Sequence, residues 1–194
     1  NPTRTVLLSA DARQLPLRTS CVDLVVTSPP YAANAIDYMR AHKFSLVWFG
    51  AKLSSLRQLR SNYIGAERGV VGNMVGARTV ADVIGELHER DPSKARVIQT
   101  YYSELLQVLV ETRRVLKPGR AAIFVVGSST LRGVDIRVGE CLADLGRIAG
   151  LLHVGTAVRN IDRDKRMMPA SRGKPKSSIE SRMHREYVVA FEKE

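Results

Sequence analysis

The chain has 194 residues, 44% of them hydrophobic, and carries a formal net charge of +11 with a pI near 10.1. That length holds one domain with a sizeable core, and the charge favours a polyanionic partner, nucleic acid ahead of an anionic membrane surface. No apolar stretch of membrane-spanning length and no signal-peptide pattern is present, so the default reading is a soluble cytoplasmic protein, and two cysteines, Cys21 and Cys141, make neither a disulfide framework nor a metal site.

Thr5–Ser9 reads as a short buried strand, followed by the loop Asp11-Ala12-Arg13-Gln14-Leu15-Pro16. Val22–Thr27 is a second strand, almost continuously apolar, as in a parallel sheet covered on both faces. Pro29-Pro30 must end it, because proline cannot donate to the ladder. The spacing of Phe44, Val47 and Trp48 predicts a helix over 34–49, with Trp48 in the core and Gly50 as the stop. Residues 51–92 are interrupted by glycines and read as an inserted segment, a candidate for target recognition, with a short helix near Val80–His88. Ser93–Lys117 is a helix, with Ile98, Tyr101, Tyr102, Leu105 and Leu109 on one stripe, Ser93 as the N-cap and Lys117-Pro118-Gly119 as terminator. Ala121–Val126 is a third buried strand, Val138–Ala149 another amphipathic helix, and Leu151–Val158 and Tyr187–Phe191 the last two strands.

That alternation predicts an α/β, Rossmann-like sheet with parallel crossovers and a C-terminal antiparallel hairpin, in one catalytic domain or fragment spanning 1–194. Between the last two strands lies 159–185, with six Arg and three Lys against three acidic residues. This basic loop suits phosphate contacts, with Arg163 and Arg166 as candidate substrate ligands.

The residues Ser28-Pro29-Pro30-Tyr31 carry the most specific chemistry. They sit at a strand end, where open α/β sheets place ligands. An exocyclic amino group of a base is a poor nucleophile, because its lone pair is delocalised into the ring. Two acceptors holding its hydrogens favour a more tetrahedral nitrogen. Ser28 Oγ and the Pro29 carbonyl are placed in sequence to be those acceptors. The two prolines fix φ, so little reorganisation is needed. The Tyr31 ring can stack on a flipped base. Tyr38 and Arg40, on the following helix, are candidates to line the base pocket or bind a phosphate.

The chain resembles the class I, S-adenosyl-L-methionine (AdoMet)-dependent DNA amino-methyltransferases of the N4-cytosine/N6-adenine type. The resemblance rests on Asp11-Ala12-Arg13 with Leu15-Pro16, on Val22–Thr27 running into Ser28-Pro29-Pro30-Tyr31, and on Leu46-Val47-Trp48-Phe49-Gly50. Leu116-Lys117-Pro118-Gly119 and Arg185-Glu186-Tyr187 add to it. It implies AdoMet as cofactor and DNA as partner, with Asp11 and Ala12 against the cofactor adenine and Ser28 at the methyl-transfer point. The serine form of the tetrapeptide is more typical of N4-cytosine than of N6-adenine methylation. An RNA guanine-N2 methyltransferase and a non-catalytic nucleic-acid-binding subunit are the alternatives. The family's glycine-rich cofactor loop and acidic ribose-binding strand end are not found. With Asn1 rather than methionine first, the expectation is that an upstream segment or a second chain carries them.

Overall fold

The structure is a computed structural model that describes residues 5–32, 38–56, 64, 76–161 and 185–194. Its strands are β1 (Val22–Thr27), β2 (Leu116–Gly127), β3 (Thr130–Leu131), β4 (Val134–Asp135), β5 (Leu152–Asn160) and β6 (Arg185–Lys193). Its helices are α1 (Tyr38–Trp48), α2 (Arg78–Arg90), α3 (Pro92–Val115) and α4 (Val138–Ile148), with a 3-10 turn at Leu53–Ser55. The main sheet has the order β1-β2-β6-β5. β1 and β2 are parallel, and β6 runs antiparallel to both β2 and β5. The α/β sheet with a terminal antiparallel hairpin is thus observed, with one parallel pair.

The connection into β2 bears the imprint of the Lys-Pro-Gly turn. Val22 pairs with Leu116, but Leu24 pairs with Ala121, so Lys117–Arg120 bulges from the ladder. Pro118 has no N–H to give, and Gly119 takes φ +68, which suits a residue without Cβ. Lys117 Nζ and Arg120 Nε close on the Asp23 carboxylate at 2.9 and 3.4 Å.

Side chains alternate across a strand, so the register sorts the sheet into two faces. On one face Phe124, Val126, Val189 and Phe191 are fully buried under α3 and α4, and α2 packs outside α3 through Val80, Val83 and Leu87. On the other face the rows Leu24–Ala121 and Val26–Ile123–Ala190 are apolar. Leu24 is 56% and Val26 66% exposed there, and Leu152 on β5 is 49% exposed. This second face is open over Leu24 and Val26.

Several expectations change. Thr5–Ser9 forms no strand, and Val6, Leu7 and Leu8 are 61%, 93% and 61% exposed. A strand needs a neighbour to complete its hydrogen bonds, and no described strand lies beside this segment. Trp48 is not in the core: it is 88% exposed, with Phe44 at 78% and Phe49 at 85%. The spacing specified α1 correctly, but an apolar stripe does not by itself supply the surface that covers it. Gly50 stops α1 with φ +90. The helix expected near Val80–His88 is the longer α2, and it is part of the main core. α3 is capped by Asp91, whose carboxylate accepts from Lys94 N at 3.1 Å, not by Ser93, because Pro92 takes the first helical position. β2 begins directly at the end of α3, so the predicted strand Ala121–Val126 is only its centre. The β3–β4 hairpin was not expected; its two-residue turn places Arg132 and Gly133 at φ +53 and +77, the pairing a tight hairpin requires.

Candidate active site

The shelf stands at the C-terminal end of β1, in the row that continues Leu24 and Val26 on the open face. Pro29 is buried, Tyr31 half-buried and Ser28 exposed. Ser28 Oγ lies 3.1 Å from the Val125 carbonyl oxygen and 3.3 Å from the Tyr31 hydroxyl. Tyr31 in turn donates toward Glu186 Oε1 at 3.5 Å. A serine hydroxyl has one proton and two lone pairs. Donation to Val125 or to Tyr31 spends that proton inside the protein, so Ser28 faces solvent as an acceptor. That is the polarity needed to receive an amino hydrogen.

The turn after the shelf is held from β2. Ser129 Oγ, on a residue 3% exposed, donates to the Ala32 carbonyl at 2.6 Å. Ser128 N donates to the Arg185 carbonyl at 2.8 Å, and Arg185 N returns a bond to Ser128 Oγ at 3.2 Å. The end of β2 therefore ties the shelf to the start of β6. Ser128 and Ser129, directly after β2, thus work as a brace.

Asp11 lies on the loop that leads toward β1, and its carboxylate is gripped by Arg13. Arg13 Nη2 donates to Oδ2 at 2.7 Å, Nε to Oδ1 at 3.0 Å and the Arg13 amide to Oδ1 at 2.9 Å. Arg13 Nη1 donates to Glu104 Oε1 of α3 at 2.8 Å. Glu111 of the same helix accepts from Leu15 N at 2.6 Å, and Arg114 Nη2 donates to the Leu15 carbonyl at 3.1 Å. The Arg13 hydrogen bond holds the Asp11 carboxyl below the usual carboxylate range, against the opposing effect of partial burial. Asp11 stays ionised and half-exposed, with Ala12 half-buried beside it, on a loop strapped to a core helix.

Tyr38 and Arg40 begin α1; their side chains lie outside what the structure describes. Arg163 and Arg166 lie outside the described residues, as do 57–63 and 65–75 of the inserted segment. Sequence reasoning missed Glu186 as a neighbour of Tyr31, Arg159 as the partner of Glu186, and Arg13, Glu104 and Ser129 as supports. Arg185-Glu186-Tyr187 was visible as a segment, but nothing along the chain links it to a tyrosine 155 residues away.

No family model matches the chain. It is 26% identical over 168 residues to the Type II methyltransferase M.MvaI of Kocuria varians, a match covering 81% of this chain and 36% of that protein. It is 27% identical over 147 residues to the Type II methyltransferase M.AvaI of Nostoc sp., covering 66% of this chain and 30% of that protein. The chain spans about a third of the length of the curated relatives it matches. Among solved structures it is similar to a candidate DNA modification methylase from Thermus thermophilus, in complex with S-adenosyl-L-methionine. The TM-score there is 0.48 at 18% identity, over 94% of this chain and 51% of that one. A SAM-dependent methyltransferase from Methanosarcina mazei matches with a TM-score of 0.41 at 9% identity, over 95% and 65% of the two chains. The resemblance to DNA methyltransferases read from the sequence is borne out by the curated relatives.

Proposed function

We propose that this chain is the base-activating part of an AdoMet-dependent DNA methyltransferase, and that its target is the exocyclic amino group of a flipped base, N4 of cytosine ahead of N6 of adenine. The observation that carries the reading is the polarity of Ser28: its proton is spent on Val125 or Tyr31, and its lone pairs face solvent at the end of β1.

The chain's own residues divide the work. Ser28 Oγ and the Pro29 carbonyl accept the two amino hydrogens and turn the nitrogen lone pair outward. The rigid Pro29-Pro30 backbone keeps these acceptors in place through the reaction. Tyr31 covers the face of the base. AdoMet, when bound, supplies an electrophilic methyl group. Asp11 fits the adenine end of that cofactor, because it is an ionised, half-exposed acceptor on a braced loop, with Ala12 beside it as a small neighbour. No group of His, Cys, Asp and Glu among the described residues is arranged to hold a metal ion.

The described residues offer no glycine-rich loop for the methionine end of the cofactor. We place that loop on a segment or second chain that packs on the open face beside β1. The exposure of Leu24, Val26 and Val6–Leu8, and the longer chains of the curated relatives, support this placement. The basic 159–185 segment serves DNA phosphates, and the part of 51–92 that precedes α2 supplies target contacts. No helix among the described residues is long and apolar enough to cross a membrane.

The test is methyl transfer from tritiated AdoMet to mixed DNA by the complete protein that carries this sequence, with nucleosides separated afterwards. Label in N4-methylcytosine is the expected result. Label only in N6-methyladenine overturns the choice of base, and label in tRNA but not DNA overturns the DNA reading. Ser28→Ala should lower the rate roughly 100-fold or more while leaving AdoMet affinity nearly intact.

A further inference from the structure

Glu186 occupies an unusual place for an acidic group in a basic chain. It is the second residue of β6, where the ladder pairs it with Gly127 of β2 on one side and Arg159 of β5 on the other. Gly127 brings no side chain to that row, and the Glu186 carboxylate reaches the Tyr31 hydroxyl, at 3.5 Å. Its other oxygen forms an ion pair with Arg159, and the Glu186 side chain is only 12% exposed. One oxygen of the carboxylate is committed to a guanidinium and the other is turned to the shelf.

The Tyr31 hydroxyl has one proton and two acceptors in reach. One is Glu186 Oε1; the other is Ser28 Oγ, at 3.3 Å. If Tyr31 donated to Ser28, it would fill one of the two lone pairs of the serine and leave a single one, in a more crowded position, for an amino hydrogen. A carboxylate is the stronger acceptor, since hydrogen bonds to an ionised partner are roughly twice as strong as neutral ones.

We propose that Glu186, oriented by Arg159, is a positioning residue that draws the Tyr31 hydroxyl away from Ser28 and so keeps the serine open as an acceptor for the base amino group. It acts through Tyr31 and does not itself touch the base. The proposal rests on the amino-methyltransferase reading of the shelf. Its particular consequence is that the harm done by losing Glu186 passes through the Tyr31 hydroxyl, so removing that hydroxyl repairs it.

The experiment compares the complete protein with its Glu186→Ala, Glu186→Gln, Tyr31→Phe and Glu186→Ala/Tyr31→Phe variants, measuring kcat and the KM for DNA. Glu186→Ala should lower kcat about tenfold, the scale of one hydrogen bond to a charged group, with little change in KM. Glu186→Gln, whose amide oxygen still accepts, should stay within a few-fold of the parent. Tyr31→Phe keeps the ring and removes the competing donor, so the double variant should recover to the Tyr31→Phe level. A double variant slower than Glu186→Ala alone overturns the proposal, as does an unaffected Glu186→Ala. A second measurement needs no methyl transfer. In protein carrying tyrosine labelled with carbon-13 at Cζ, the Tyr31 resonance, identified by its loss in Tyr31→Phe, should shift in Glu186→Ala and hold nearly still in Glu186→Gln. An unmoved resonance in Glu186→Ala overturns the tether whatever the enzyme does. Absence of transfer by the parent protein with a shifted resonance overturns the methyltransferase reading and leaves the tether standing.

Discussion

Gly146→Ala should destabilise the protein by about 1–2 kcal/mol, although alanine is the better helix former. Gly146 and Gly139 lie seven residues apart on α4, and both face β6. A Cβ at Gly146 would stand 2.1 Å from Cε1, 2.6 Å from Cζ and 2.8 Å from Cδ1 of Phe191. Carbon atoms in good contact sit roughly 3.5–4.0 Å apart, so the helix or the ring must give way by more than about 1 Å. Phe191 has nowhere to go: it is fully buried, with its ring edge-on to Phe124 at 5.9 Å between centroids and tilted against His153 at 5.8 Å. Overpacking of this kind costs about 1–3 kcal/mol. With a clash this deep the cost lies in the upper part of that range, and the intrinsic preference for alanine returns about 1 kcal/mol. At Gly139 the nearest atom is Tyr187 Cγ at 2.9 Å on a half-buried residue, so Gly139→Ala should stay within about 1 kcal/mol of the parent. Equilibrium urea unfolding of the parent, the two single variants and Gly146→Ala/Phe191→Leu measures all three expectations. The smaller leucine should make the pair less damaging than the sum of its members. Gly146→Ala as stable as the parent, or less harmful than Gly139→Ala, would refute the view that α4 rides directly on β6.

Burial pushes the Cys141 thiol up to about 12, whereas Cys21 is exposed, so a thiol reagent should modify Cys21 quickly and reach Cys141 only on unfolding; two equally fast thiols would contradict the packing of α4. Because Arg13 lowers the Asp11 pKa, the stability that ionised Asp11 contributes is fully present above the ordinary carboxylate range and is lost only as pH falls through the lower, folded value. Titration of the Asp11 carboxyl by carbon-13 NMR should show that depression in the parent and its loss in Arg13→Ala; an Asp11 that titrates alike in both would remove Arg13 from the account. Val26→Asp adds a charge to the open face, so it should impair AdoMet binding by the complete protein, and calorimetry that finds unchanged affinity would argue against a cofactor segment packed there.

What the sequence revealed was what is local. Val22–Thr27 was readable to the residue, because an apolar run closed by two prolines has one interpretation. α3 and α4 were readable from their apolar period. The place of Ser28-Pro29-Pro30-Tyr31 at a strand end was readable because the two prolines close the ladder there. What failed needed a second surface. Val6–Leu8 has strand composition but no strand beside it, and the Phe44–Trp48 stripe has the spacing of a buried face with no described surface over it. The supports of the site were invisible for a related reason. Arg13 meets Glu104 across 91 positions and Tyr31 meets Glu186 across 155, and no periodicity reports a contact between chain-distant loops.

The two faces of the sheet explain why the site looks finished on one side and open on the other. The face under α3 and α4 is closed by aromatic rings at contact distance, and it fixes the spacing of β1, β2 and β6. That spacing sets Ser28 level with Val125 and the Gly127–Glu186 pair one step further along the same face. The groups proposed to activate the base need only this frame, because their partners are Val125, Tyr31, Ser129 and Arg159, all within it. The opposite face carries Leu24 and Val26 directly beneath Ser28 and leaves them more than half exposed. Apolar surface of that kind, beside a shelf whose acceptor points the same way, is where the segment proposed to bring the methyl donor would pack. The acceptor of Ser28 and the surface proposed to receive the cofactor segment therefore share one face of the sheet, and the helices on the other face hold that shared face in register.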